Sequence, residues 1–257
     1  MDFRKTPLGI ENKAILIIYI IFFISSLIAS AFILLNTGLY SIGYLELASP
    51  ITFLNLFKSA CLIVIIMYIA TRLDIFKKIL SGTNTLGDEL LYALIFGILC
   101  ILAFTFGLDF YDLSIIIKDF IPLAGGILGG PIVGIGSAII FSIFRVVEGA
   151  SGAISLTNIV VGIVSGIVGS LIYYLNKGKA ITPLQFGILA ALLEGFACLF
   201  ILIVPILPFN SRLEFVSSLI FPLMFGNGIC ALFFALMIND EVENYTSIRA
   251  WKERKWK

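Results

Sequence analysis

The residues of this chain that could carry chemistry are a few charged and amide side chains set within long apolar runs. Lys118 and Arg145 stand at the two ends of a glycine-rich stretch, and no residue from 120 to 144 is charged. Three further residues of this kind lie in other apolar runs: Lys58, Glu194 and Asn227. Charges inside such runs, next to an interrupted apolar segment, are typical of an intramembrane ligand site rather than of a lipid anchor.

The three cations are suited to binding a small anion, above all a carboxylate. Arginine can hold a carboxylate with two parallel hydrogen bonds, and lysine can hold it with one. Like charges do not gather in a low-dielectric interior without counter-charge. That counter-charge comes either from a bound anion or from the chain itself, through Asp119, Glu148 and Glu194. A further interpretation is that Lys118 and Arg145 lie near helix ends and extend their charged groups to the membrane surface.

Four other polar residues are candidates for lining such a site, and each also has a structural interpretation. Glu194 lies near the middle of its run, where a carboxylate indicates a functional site unless it forms an ion pair with Lys58 or Arg145. Asn227 either lines the site or donates a hydrogen bond between helices. Two hydroxyl residues open the run after the glycine-rich stretch, where they either cap a helix or face the ligand: Ser155 and Thr157.

The composition excludes several functional classes. The chain of 257 residues has no histidine, the commonest general base and metal ligand. The four cysteines stand alone in apolar runs without a CxxC pair, as Cys61, Cys100, Cys198 and Cys230. We therefore expect buried thiols, no metal and no cofactor. No nucleophile–base pair or phosphate loop is present, so we expect no enzyme, and the net charge of +1 gives no basis for nucleic-acid binding.

The same composition predicts an all-α polytopic membrane protein. The chain is 60% hydrophobic, with a mean hydropathy of +1.10, and several runs exceed the roughly 18 apolar residues that cross a bilayer. Only helices satisfy the backbone in such runs. We expect about eight helical segments, near 14–35, 51–71, 90–107, 115–128, 131–147, 154–175, 184–206 and 215–238. The first is longer than the ~7–15 residues of a signal-peptide core, which favours an uncleaved span.

The distribution of lysine and arginine predicts the orientation. Thirteen of the 17 lie in the first segment, two loops and the tail: Arg4, Lys5, Lys13, Arg72, Lys77, Lys78, Lys177, Lys179, Arg249, Lys252, Arg254, Lys255 and Lys257. The alternate loops at 36–50, 108–114 and 207–214 hold one, Arg212. Because positively charged loops stay in the cytoplasm, both termini are predicted to be cytoplasmic. The membrane is predicted to be the plasma membrane. Lys58, Lys118 and Arg145 then belong to the outer half.

This alternation holds only if the stretch from 115 to 147 enters and returns on the same side. The sequence therefore predicts a broken or re-entrant helical hairpin with its turn at Gly130 and Pro131. The first arm, of ~14 residues, would be only about 21 Å long. Gly126, Gly130 and Gly134 recur every fourth residue, so they predict close packing of the arms. Asp119 stands where the first arm would take its N-cap.

The chain resembles the family of LytS/YhcK-type five-transmembrane receptor (sensor) domains. The densest match is GGILGGPIVGIGSAIIFSIFR, residues 125–145, a glycine-rich segment that contains Gly-Pro and ends in arginine. Weaker matches follow in the right order and together cover most of residues 55–238: YIATRLDIF (68–76), FGILCILAFTFG (96–107), LLEG (192–195) and FPLMFGNGICALF (221–233). The family shows Asn-Thr-Arg before the glycine segment, whereas this chain has lysine at 118, which keeps the charge without the bidentate fork.

The resemblance implies a receptor that binds a small extracellular ligand and signals inward in two-component signalling, which in some members is linked to cell-wall regulation. It implies a sensor-like domain over residues 1–238, followed by a charged cytoplasmic tail over 239–257. Family members usually continue into a kinase or cyclase-type output domain. Here we expect signalling through a separate kinase, another signalling protein or a homodimer.

Two other functions remain open at this point. The alternative is the substrate-binding membrane subunit of a small-molecule transporter, because broken helices and intramembrane charges serve transport equally well. The other is a structural assembly partner that binds no ligand. Membrane lipid and a small anionic ligand are the partners that the residues themselves predict.

Overall fold

The computed structural model describes residues 13–37, 50–81, 83–110, 113–115, 117–148, 153–178, 181–204 and 209–255. Within these ranges the chain forms eight α-helices and one short antiparallel strand pair, which confirms the predicted all-α polytopic fold. The elements are α1 Lys13–Thr37, α2 Pro50–Thr71, α3 Asp74–Ser81, α4 Leu86–Thr105, β1 Leu108–Phe110, β2 Leu113–Ile115, α5 Phe120–Val147, α6 Ala153–Leu175, α7 Pro183–Ile203 and α8 Phe209–Lys255. Six of these helices are long and apolar enough to cross a bilayer.

Two of the long helices begin at capping motifs that can be recognised in the sequence. At the start of α4, the Thr85 side chain accepts from the Asp88 backbone and the Asp88 carboxylate accepts from the Thr85 backbone. At the start of α7, Thr182 and Gln185 form the same reciprocal pair, with Pro183 as the first helical residue. Each motif satisfies backbone donors that the first turn of a helix leaves free.

The predicted hairpin is present within α5, and Gly130 makes it. Its φ of 76° and ψ of −162° are non-helical and lie in a region that glycine adopts readily. A Cβ built on Gly134 would lie 2.5 Å from the Gly126 Cα. Eight residues apart in one straight helix, these two positions would be about 12 Å apart. The chain therefore folds back on itself, as the charge alternation required.

The hairpin packs against α6 through backbones that nearly touch. A Cβ at Gly126 would lie 2.6 Å from the Ser170 nitrogen, and one at Gly166 would lie 2.5 Å from the Gly134 oxygen. A Cβ at Gly169 would lie 2.3 Å from the Leu123 oxygen. These glycines allow the two arms of α5 to pack closely against each other and against α6, which fixes the start of α5 relative to α6.

The structure differs from the sequence-based expectation in three elements. Residue 115 ends a strand instead of starting a helix, and α5 begins only at Phe120. The helix α3 was not predicted because its charged residues mark it as a loop, yet Phe76 and Ile79 on it are buried. The segment after residue 238, expected as a charged tail, continues α8 as helix through Lys255.

The long helices pack against one another in neighbouring pairs. α5 packs on α4 and α6, α7 packs on α1 and α8, and α2 packs on α8. At one end of the bundle, an ion pair joins Arg72, just after α2, to Glu241 of α8. At the opposite end of α8, Arg212 donates to the Leu202 and Val204 carbonyl oxygens, which close α7. The two ends of the bundle are thus marked by different polar contacts.

Candidate functional site

Lys118 lies in the interior of the protein, directly before α5. It is only 1% exposed, and its ammonium group binds the Asp119 carboxylate. The ammonium group also donates to the Asn158 carbonyl oxygen of α6 at 3.2 Å and lies 4.9 Å from the centre of the Phe141 ring. Residues from both arms of the hairpin and from α6 therefore surround this one charge. The sequence interpretation of a lysine that extends to the membrane surface is wrong for Lys118.

A chain of buried side chains continues from Lys118 across to α8. The Glu194 carboxyl group of α7 lies close to Asp119 and Lys118. The Glu194 carboxylate accepts from the Asn227 amide nitrogen of α8 at 2.8 Å. Asp119, Glu194 and Asn227 are each at most 5% exposed. We call Lys118, Asp119, Glu194 and Asn227 the buried polar network.

The buried polar network lies midway along the helices, not at their outer ends. Glu194 is the twelfth of the 21 residues of α7. Asn227 stands well inside the 28-residue apolar part of α8, Phe215–Val242. Lys118 was predicted near the outer surface, but the first arm of α5 begins at this depth and runs only from Phe120 to the turn at Gly130. The hairpin is thus re-entrant, with its first arm starting in the interior.

The start of α5 adds a partial positive charge at this depth. A helix N-terminus carries unpaired backbone N–H groups and the positive end of the helix dipole. Asp119 occupies the N-cap position, but its side chain makes no capping hydrogen bond, so the predicted N-cap role is wrong. The reason is that its carboxylate binds Lys118 instead.

Arg145 lies one turn beyond Phe141 on the second arm and is 8% exposed. Its guanidinium binds Glu148 and stacks on Phe104 of α4, with the guanidinium carbon 4.0 Å from the ring centre. The Phe104 and Phe141 ring centres are 6.3 Å apart. Two aromatic rings therefore stand between the cations, Lys118 against one ring and Arg145 against the other.

Several polar atoms around these cations have no hydrogen-bond partner among the described residues. They are the Nε of Arg145, the side-chain nitrogen of Asn158 and the side-chain oxygen of Asn227. A buried donor or acceptor left unpaired costs about 1–3 kcal/mol. The region therefore has hydrogen-bonding capacity beyond the contacts that its own residues make.

The other predicted site residues differ in their exposure and in their distance from Lys118. Thr157 is buried near the start of α6, and a Cβ on Gly162, further along α6, would lie 4.0 Å from the Lys118 nitrogen. Ser155 belongs to α6, but its side chain falls outside the described part of the structure. Lys58 is exposed on α2, so the buried cations are Lys118 and Arg145 rather than all three.

Arg212 differs from the expectation that it is a loop cation. It lies in the first turns of α8, is 9% exposed and donates to two carbonyl oxygens at the end of α7, Leu202 and Val204. The last carbonyls of a helix have no partner within it, and a cation beside them is stabilising. Arg212 is therefore a structural contact between α7 and α8.

An apolar cavity of about 450 Å³ lies between α2 and α8. Its lining includes Cys61, Pro222, Gly226, Cys230 and Ile117, the residue directly before Lys118. Among the described residues, no group of three or more histidine, cysteine or acidic side chains could hold a metal ion. The sequence does not reveal this cavity because its lining comes from three separate segments of ordinary apolar residues.

Comparison with known proteins places most of the chain in one family. The sequence model described as "5TMR of 5TMR-LYT" matches residues 73–241. The match covers α3 to α8 as far as Glu241, and thus includes the whole buried polar network. No solved structure matches the chain.

Curated sensor proteins are similar to the same region. The sensor histidine kinase BtsS of Escherichia coli (strain K12) is 27% identical over 200 residues, which cover 76% of this chain and 36% of BtsS. The sensor protein LytS of Oceanobacillus iheyensis is 24% identical over 204 residues, or 71% of this chain and 34% of that protein. LytS of Bacillus cereus is 23% identical over 212 residues, or 76% and 35%. The chain spans about a third of the length of these relatives.

Proposed function

The chain belongs to the family of LytS-type five-transmembrane receptor domains, and from this premise we propose that it senses a small carboxylate beside Lys118 and Arg145 and signals inward. Membership in the family supports a membrane sensor in two-component signalling. The chemical class of the ligand rests on the residues of this chain.

The observation that carries the proposal is the burial of Lys118 at the interior start of α5. A buried ammonium group and a helix N-terminus together form a site of positive potential in a medium of low dielectric. Lys118 is 1% exposed, and the unpaired atoms of Asn158 and Asn227 belong to residues that contact its network. A carboxylate could accept from Lys118 and from the Asn158 amide together. We propose that Glu194, Asn227, Ser155 and Thr157 line or support this site.

Arg145 is the second cation of the proposed site. Its guanidinium has a buried Nε without a hydrogen-bond partner among the described residues, so it retains a donor for a ligand oxygen while it binds Glu148. Glu148 itself is exposed, which makes this ion pair easier to exchange than the one at Lys118. We propose that an entering anion meets Arg145 first and then reaches Lys118.

The route of signalling follows from the same contacts. Asn227 and Glu194 connect the site to α8, and α8 continues without interruption to Lys255. We propose that the termini are cytoplasmic and that α8 passes the change in the site to a separate kinase, another signalling protein or a second copy of the chain.

A ligand screen on the purified chain tests the proposal. Thermal unfolding is followed in detergent with formate, acetate, glycolate, malonate and succinate, each at matched ionic strength, with chloride as the control anion. A sensor of this kind is stabilised saturably by at least one carboxylate, because a ligand that binds only the folded state raises its stability. If none of the carboxylates acts differently from chloride, the anion site is wrong.

Transport is the second candidate, and the break of α5 at Gly130 favours it. Discontinuous helices that meet buried charges are frequent in secondary transporters. Proteoliposomes that contain the chain separate the two functions. A sensor binds the radiolabelled carboxylate without accumulating it in the lumen, whereas a transporter accumulates it or exchanges it across the bilayer.

A further inference from the structure

The apolar cavity between α2 and α8 opens at the surface of the bundle that faces the hydrocarbon of the membrane. Three residues of its wall are half exposed or more: Ile65 at 59%, Phe225 at 59% and Phe233 at 50%. Phe225 and Phe233 belong to the apolar part of α8, Phe215–Val242, which is long enough to cross a bilayer. The mouth of the cavity is therefore in contact with lipid.

The wall of the cavity favours hydrocarbon over water. Its side chains are aliphatic and aromatic, apart from the thiols of Cys61 and Cys230. A buried water molecule needs roughly two to four polar partners, which such a wall does not offer. The volume of about 450 Å³ lies within the roughly 300–1,000 Å³ of small-molecule sites. The cavity is therefore suited to an apolar group of the membrane.

The length of the cavity matches one lipid acyl chain. Its wall on α8 begins at Pro222 and ends at Phe233, eleven residues later. At about 1.5 Å per residue this wall is about 16 Å long. The hydrocarbon core of a bilayer is about 30 Å thick, so each leaflet contributes about 15 Å. The wall thus extends along α8 over the depth of one leaflet.

An exposed lysine lies on α2 beyond one end of the cavity. No ion pair or side-chain hydrogen bond among the described residues involves Lys58. It stands three residues before Cys61 and seven before Ile65, so the three share one face of the helix. The neighbouring Ser59 hydroxyl donates to the Phe106 carbonyl oxygen at 2.6 Å, directly after the end of α4. Lys58 therefore lies at the depth at which α4 ends, where a lysine extends its ammonium group to the lipid phosphates.

The inner side of the cavity is closed toward the buried polar network. Ile117, directly before Lys118, forms part of the wall, and so does Gly226 of α8. A Cβ on Gly226 would lie 2.7 Å from the Ile117 Cδ1, so these two residues are in close contact. A lipid in the cavity is thus separated from Lys118 by Ile117, and the cation available to its headgroup is Lys58.

We propose that this face binds one anionic phospholipid, with its phosphate at Lys58 and one acyl chain in the apolar cavity. The lipid site is additional to the proposed carboxylate site at Lys118 and does not depend on it. A lysine near the membrane surface attracts an anionic headgroup. An acyl chain in the cavity gives the atoms of the wall the dispersion contacts that a gap would forfeit.

Native mass spectrometry of the full chain, released from detergent, measures the lipids that it retains. The protein is titrated separately with dioleoyl phosphatidylglycerol and dioleoyl phosphatidylcholine, which have the same acyl chains. One phosphatidylglycerol should bind saturably per chain, about fivefold more tightly than phosphatidylcholine, since one lysine near the membrane surface contributes about that factor. Equal affinity for the two lipids overturns the proposal. A dimer of the chain that retains no lipid assigns this face to a second copy and also overturns it.

Lys58→Gln tests the headgroup contact. It should lower the affinity for phosphatidylglycerol about fivefold and leave that for phosphatidylcholine unchanged. Lys177→Gln is the matched control, because it removes one charge from an exposed lysine outside this face, just after α6. An equal loss of phosphatidylglycerol affinity in both variants indicates general charge attraction and overturns the proposal.

Cys61→Phe tests the cavity by filling its mouth with a larger apolar side chain. Saturable binding of phosphatidylglycerol should be lost in this variant. It should be retained in Ile69→Phe, the control, because Ile69 is 59% exposed on the same helix but outside the cavity wall. Wild-type binding by both variants overturns the proposal.

The wild-type protein decides if Cys61→Phe does not elute as folded protein from gel filtration. Dihexanoyl phosphatidylglycerol has the same headgroup, but its chains are too short to extend along the whole cavity. It should bind at least several-fold more weakly than the dioleoyl lipid. Equal affinity for the two chain lengths shows that the cavity holds no acyl chain and overturns the proposal.

Discussion

The Asn227 amide nitrogen donates to the Glu194 carboxylate at 2.8 Å, and this contact joins α8 to α7 in the middle of the apolar interior. Asn227 is fully buried, with 0% of its surface exposed, and its nitrogen also donates to the Leu223 carbonyl oxygen. This hydrogen bond links the site to the long helix that leaves it. It therefore stabilises the packing of α7 on α8, and we propose that it also transmits the signal.

Removal of this link should destabilise the protein. Asn227→Ala leaves the Glu194 carboxylate without its donor, and loss of a hydrogen bond to a charged group costs about 1.5–3 kcal/mol. A double-mutant cycle with Glu194→Gln, followed by denaturant unfolding, should give a coupling energy of about 1–2 kcal/mol. Phe233→Ala, an exposed site on the same helix, is the control and should show no coupling with Glu194→Gln. Strictly additive effects at 194 and 227 would contradict the contact.

The glycines at which the two arms of α5 contact each other and α6 should tolerate no side chain. In Gly134→Ala the added methyl would lie 2.5 Å from the Gly126 Cα and 2.9 Å from the Gly166 oxygen, so the helices must separate. We expect loss of folded protein or a fall in stability of about 3 kcal/mol or more. Gly87→Ala is the matched control, because its nearest neighbour is the Thr85 hydroxyl at 3.7 Å. Equal melting temperatures for the two variants would contradict the packing.

The larger substitution Gly130→Leu tests the turn itself. Position 130 has φ of 76°, where a leucine is strained, and its Cβ would lie 3.2 Å from the Tyr173 ring. We expect strongly reduced expression of folded protein, read by fluorescence-detected gel filtration. Wild-type elution and yield would show that the chain turns elsewhere.

The sequence predicted the turn of α5 because two independent signals agreed on it. The charges required an even number of crossings, and Gly130 followed by Pro131 marked the break. The depth of Lys118 could not be predicted in the same way. It depends on where α5 begins, and the short strands before it end at residue 115, a placement that no apolar periodicity in the sequence marks.

The partners of the site residues were predictable only in part. Their position in apolar runs identified Lys118, Glu194 and Asn227 as unusual, but their hydrogen bonds join positions 33 and 40 residues apart in different segments of the fold. The local pattern favours Asp119 as an N-cap, whereas the ion pair with the buried Lys118 decides the orientation of its carboxylate. The prediction that Arg212 is a loop cation is wrong because its acceptors, at the end of another helix, are not apparent from the sequence around it.

The orientation of the chain is testable by cysteine labelling in intact cells. Ser151→Cys lies in the predicted extracellular loop after α5, outside the described residues, and Asp74→Cys lies at the opposite end, where its side chain is 94% exposed. A membrane-impermeant maleimide should label position 151 from outside and position 74 only after permeabilisation. The unmodified chain, with its four native cysteines, is the background control. The reverse pattern would invert the topology.

Isothermal titration of Arg145→Ala tests most directly whether Arg145 and Lys118 bind a carboxylate. Loss of one charged contact to a buried ligand costs about 2–5 kcal/mol, or roughly 30-fold or more in affinity. Arg145→Lys should retain the fold and bind more weakly than wild type, because one donor replaces two. Lys77→Ala, a partly exposed cation on α3, is the control and should bind as wild type does. If a carboxylate binds the wild type and Arg145→Ala with equal affinity, the cations are structural and the proposed ligand site is wrong.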